Sequence, residues 1–131
     1  MPIRDLGPGT IVTADVREEI NDIATASKWP ELIIRSENDV FAVLNLVTLD
    51  YEFLLTTSKE MINGVIVFTI KRQLSVGQDL QFAVWTGENI PAIGAYLRIP
   101  NGKVKFLGRQ KPLAAGKVWR KTTTLKSSHL Q

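Results

Sequence analysis

The chain has 131 residues, 44% of them hydrophobic, with sixteen Lys and Arg against thirteen Asp and Glu, one His and no Cys. That length and apolar content suit one globular domain able to bury a core without metal or disulfide, and they exclude a wholly disordered chain. Lacking Cys and holding a single His, the chain has no thiol nucleophile, no multi-His metal site and no His-based triad, so the expectation is a non-enzyme with no catalytic residue, cofactor or small-molecule substrate.

In chain order, Gly7, Pro8 and Gly9 break regular structure near the start, and the opening stretch lacks the charged-then-apolar pattern of a secretory signal. Asp15 with Glu18 three residues on makes a capping box for a helix over 15–28. Val16, Ile20, Ile23 and Ala24 form its apolar stripe, and Pro30 ends it. Strands are predicted at 31–36, 40–48, 51–57, 64–72, 79–86, 92–99 and 103–108 from their β-branched and aromatic content. Turn signals separate them, among them Asn63-Gly64, Gly77-Gln78-Asp79 and Pro100-Asn101-Gly102. Spacing near ten residues favours antiparallel pairing, so the expected fold is mainly β: an antiparallel barrel or sandwich of about seven strands behind one N-terminal amphipathic helix. No apolar stretch approaches the roughly 18 residues that span a bilayer, so no membrane partner is expected.

Residues 92–108 are read as a hairpin with Ile99 opposite Val104 and Leu97 opposite Phe106, which sets Arg98 across from Lys105 on an outer face shared with Tyr96 and, near the tip, Lys103. After Gly108 large apolar residues become sparse, and Arg109, Lys111, Lys117, Arg120 and Lys121 surround Trp119 in an extended basic C-terminal arm. Within it, Lys117 to Thr124 alternates in the manner of a last strand. Glu88 is the final acidic residue; residues 1–88 carry seven basic and thirteen acidic groups, net −6, and residues 89–131 carry nine basic groups and none acidic, net +9. A one-sign block of that length is built to meet something negative.

The chain is therefore read as a single domain, 1–131, with an arm and helix over 1–30, a β core over 31–108 and a basic arm over 109–131. Tyr96, Arg98, Lys103, Lys105, Arg109, Lys111, Lys117, Trp119, Arg120 and Lys121 are the candidate contacts to a partner or to nucleic acid. The leading expectation is a structural subunit of a homo-oligomeric assembly, a viral or phage particle component located in a virion or the cytoplasm, whose partner is another copy of itself. The alternative is a single-stranded nucleic-acid-binding barrel. Trp85, out of phase with Leu80, Phe82 and Val84, is read as a partly exposed interface residue or, in a third reading, a platform for a small molecule or glycan. The carboxylates Asp50 and Glu52 fall on one side of a strand, but at a strand entrance they read as solvated turn residues.

Overall fold

The computed structural model describes residues 20, 28–37, 40–54, 59–62 and 64–131. They form nine strands: β1 (Glu31–Ser36), β2 (Ala42–Leu49), β3 (Glu52–Phe53), β4 (Lys59–Ile62), β5 (Val65–Thr69), β6 (Asp79–Thr86), β7 (Ile93–Arg98), β8 (Val104–Gln110) and β9 (Val118–Thr124). A 3-10 turn at Ser127–His129 follows. All strand pairs are antiparallel and group into a five-stranded sheet ordered β4-β5-β1-β7-β8 and a four-stranded sheet ordered β3-β2-β6-β9. The two sheets are stacked layers that do not close on each other, so the barrel alternative gives way to two open sheets. The predicted helix over 15–28 lies outside the described residues apart from Ile20, which is helical, and Lys28, which sits in a bend.

Alternation along each strand assigns the faces. Leu32 and Ile34 of β1, Ile66 and Phe68 of β5 and Ala95 and Leu97 of β7 point into one core. There they meet Leu44 and Val47 of β2, Leu80, Phe82 and Val84 of β6 and Trp119 of β9. Side chains of this size each contribute about 1.5–3 kcal/mol when fully removed from water, so this interlayer core is the main source of stability. The five-stranded sheet is buried on its second face too. Ile33, Val65, Val67, Tyr96 and Val104 cluster there with Ile20, and every residue of β1 and β7 is buried. That double burial fits the unbroken apolar stretches Leu32–Ile34 of β1 and Ala95–Leu97 of β7.

The hairpin register differs from the expectation. Arg98 lies opposite Val104, Leu97 opposite Lys105 and Tyr96 opposite Phe106, one residue away from the predicted pairing. The cause is the loop: Gly102 N–H bonds the Ile99 carbonyl at 2.9 Å and Ile99 N–H bonds the Lys103 carbonyl at 3.0 Å, with Gly102 at φ 87°. This is a three-residue loop closed by a glycine bulge, whereas the expected register needs a two- or four-residue loop. A second irregularity between Ala95 and Tyr96 absorbs the slip, leaving Ala95 opposite Gly108. β4 was not expected. The predicted strand over 51–57 is confined among described residues to Glu52–Phe53.

Candidate interaction surfaces

Tyr96 and Arg98, expected on an exposed outer face, are buried to within 1% of full coverage. Their face is the one roofed by the second apolar cluster, so the predicted row of Tyr96, Arg98, Lys103 and Lys105 is not assembled. Arg98 instead meets Glu31, directly opposite on β1, with Nε donating to Oε1 at 2.9 Å and Nη2 to Oε2 at 3.1 Å. This is a two-pronged buried ion pair, the geometry that suits a guanidinium. Lys103 is exposed at the hairpin loop, where its N–H bonds Asn101 Oδ1 at 2.9 Å.

Trp119 is likewise inside, packed edge-to-face on Phe82 with ring centroids 4.9 Å apart. The stretch expected as an extended basic arm holds the end of β8, all of β9 and the closing 3-10 turn, with Leu125 buried behind it. Alternation within β9 turns Trp119 toward the core and Arg120 toward solvent. The strand signal in Lys117 to Thr124 thus prevails over the polar composition.

Part of the basic block lies in a seam where β8 and β9, each the edge of its own sheet, come near one another. Lys121 of β9 lies over Gly108 of β8 so closely that its Cδ and Cε take the space a Cβ at position 108 would need. Arg109, Lys111 and Lys121 line one cavity of about 610 Å³ with Gly108 and Gln110. Further along, the Lys126 N–H donates to His129 Nδ1 at 2.9 Å. Partial burial, together with the nearby charges of Lys126 and Lys105, lowers the His129 pKa below its ordinary 6.5.

A second surface, only partly legible in the sequence, is the outer face of the four-stranded sheet. Val43, Trp85 and Val118 stand side by side across β2, β6 and β9. Trp85 is 39% exposed, Val118 45%, and Phe41, two residues before Val43, 62%. The next row is Leu46, Ala83 and Arg120, and the one after is Phe53, Thr48, Gln81 and Thr122. At the β3 edge Tyr51 and Phe53 are 70% and 78% exposed beside Asp50 and Glu52. At the β9 edge stand Lys117 and Arg120, both exposed. One sheet therefore carries an apolar middle, an acidic edge and a basic edge.

The turn into β3 is strained. Asp50 and Tyr51 both have positive φ, 50° and 66°, and neither is glycine. The Asp50 carboxylate holds it by accepting the Asp79 N–H at 2.9 Å and a Gln78 side-chain N–H at 3.3 Å. Asp50 is therefore engaged in turn structure, and Glu52 makes a loose 3.8 Å contact with Arg72.

Among the described residues no group of three or more His, Cys, Asp or Glu is placed to hold a metal ion, and no helix is long and apolar enough to cross a membrane. No family model, curated protein or solved structure matches this chain.

Proposed function

We propose that this protein is a non-enzymatic structural subunit that assembles with copies of itself through the outer face of its four-stranded sheet, the kind of component from which a viral or phage particle is built. The observation that carries this reading is the row of half-buried Val43 and exposed Trp85 and Val118 lying between an acidic and a basic edge of one sheet. A partly exposed Trp inside an apolar patch with charges at its margins has the composition of an interface core and rim.

The charge layout selects the geometry. If two copies pair face to face about a two-fold axis parallel to the strands, β3 of each lies over β9 of the other, so the edge that carries Asp50 faces the edge that carries Arg120, and because such an axis keeps the level along the strands, Val43 of each copy meets Trp85 of the other. A two-fold axis perpendicular to the strands sets β3 on β3 and β9 on β9, with like charges opposed. Opposed like charges cost several kcal/mol across an interface, so the first arrangement is favoured. It is isologous and closes as a dimer, the commonest unit from which larger symmetric assemblies are built.

Sedimentation velocity over a dilution series tests the proposal. Wild-type protein is expected to shift from dimer or larger species to monomer as concentration falls. Trp85→Asp, which leaves the interlayer core untouched, is expected to remain monomeric throughout. A wild-type monomer at every concentration, or a Trp85→Asp variant that associates normally, defeats it.

A further inference from the structure

A second cavity lies away from the four-stranded face, at one end of the molecule. It has a volume of about 690 Å³ and is half-open, between the entry to β1, the segment after β5, the β7–β8 loop and the C-terminal Leu130. The Ile70 N–H bonds the Pro30 carbonyl at 2.8 Å, which fixes two of these walls together. Pro30, Leu74, Ile99 and Leu130 make an apolar floor, and half-buried Trp29 forms a side. Lys28, Lys71 and Arg72 stand at the rim, all exposed, with Lys28 Nζ 5.9 Å from the Trp29 ring centroid. No acidic side chain is among the described lining residues. Among the described residues Glu52 reaches the rim, 3.8 Å from Arg72, and with both side chains more than half exposed that pair holds the arginine weakly.

A flat apolar wall beside several cations asks for a ligand that is planar at one end and negatively charged at the other. The size is within the range of small-molecule sites. We infer that this cavity binds a nucleotide, its base against Trp29 and its phosphate at Lys28, Lys71 and Arg72, supplied either free or as one residue of a single strand. Stacking on an indole accepts any base, and the cations accept any phosphate, so recognition here is by class and not by sequence. Leu130, in the floor, adjoins His129, which the charges of Lys126 and Lys105 reach; Lys121, Arg109 and Lys111 lie farther along the β8 edge. A strand leaving the cavity would meet cations of one sign along this path, which argues for the polymer as the source.

The inference is independent of assembly through the four-stranded sheet, because none of these residues lies on that face. Its test is calorimetric titration of the full chain at low salt with AMP, inorganic phosphate and an unstructured octanucleotide. AMP is expected to bind at least tenfold more tightly than phosphate. Trp29→Leu is expected to lower affinity for AMP and octanucleotide by about tenfold, within the range measured for one stacked base, while Trp29→Phe keeps most of it. Lys71→Gln with Arg72→Gln, both exposed and without consequence for folding, is expected to weaken both ligands by a similar factor. Saturable binding of the octanucleotide alone, weakened in turn by Lys111→Gln with Lys121→Gln, supports the site and assigns the source to a strand. Absence of saturable binding by AMP and octanucleotide, phosphate binding as tight as AMP, or a folded Trp29→Leu variant with unchanged affinity overturns it.

Discussion

Arg98 has no exposed surface and carries a guanidinium into the second, covered face of the five-stranded sheet, where Glu31, 67 residues earlier, receives both of its prongs. Taking two charges out of water is costly, and the return comes only while both partners are present. Arg98→Met alone leaves a buried carboxylate unmatched and is expected to lose about 3–5 kcal/mol of stability by urea denaturation. Glu31→Leu with Arg98→Met removes both charges and is expected to recover most of that loss. A single variant as stable as wild type contradicts the pairing. His129 responds to pH through a different cause, burial first and then Lys126 and Lys105, which lower its pKa. The folded state then binds fewer protons than the unfolded chain between the lowered pKa and 6.5. Stability in that window rises with pH and falls as acid protonates His129, which also removes Nδ1 as acceptor for the Lys126 N–H. As the sole His, it gives one assignable imidazole signal, and an NMR titration midpoint below 6.5 is expected; a midpoint at or above 6.5 contradicts the environment described.

At the scale of elements, the turn between β2 and β3 sets local stability against exposure of an aromatic. Two consecutive non-glycine residues at positive φ cost about 1–2 kcal/mol each in a chain of L residues, and with Tyr51 70% exposed its packing does not repay it. Asp-Gly is the pair such a two-residue hairpin favours. Tyr51→Gly is therefore expected to raise stability by about 1 kcal/mol while weakening self-association, because the ring stands at the acidic margin of the proposed interface. Thermal unfolding and sedimentation of the same variant read the two effects, and a Tyr51→Gly protein that is both less stable and equally associated contradicts this role. Two strands, β1 and β6, fall at the boundaries read from the sequence, since their apolar runs are bounded by clear turn residues. β4 escaped notice because KEMI is too short and mixed to show a period of two; pairing with β5 makes it a strand. The hairpin register was misread for a comparable reason. Matching apolar residues across it ignores that the sheet is buried on both faces, so hydrophobic pattern does not discriminate between registers one residue apart, and the loop decides.

For the whole molecule, the division of charge along the chain becomes a division across one sheet. The acidic early strand β3 and the basic late strand β9 end at opposite edges because β2 and β6 pair between them. The sequence shows the segregation but not this placement, which depends on pairing between segments far apart. It likewise could not tell that Arg98 and Trp119 leave the basic surface for the interior, since a charged or polar neighbourhood masks a buried partner many residues away. Trp85 was legible, because its phase within β6 puts it opposite Phe82 and Val84 whatever the sheet's neighbours.

The most direct test of assembly through this face places charge on its apolar row. In a two-fold dimer of the proposed geometry, Val43→Lys alone sets a cation against Trp85 of the other copy at both contacts, and Trp85→Glu alone sets a carboxylate against Val43 of the other copy at both. Each is expected to associate at least tenfold more weakly than wild type. Mixed in equal amounts, the two variants bring opposite charges together at one contact and keep Val43 against Trp85 at the other, so sedimentation velocity is expected to show a heterodimer. A mixture that sediments as the simple sum of its two components contradicts the proposed pairing of β2 with β6 across the two-fold axis.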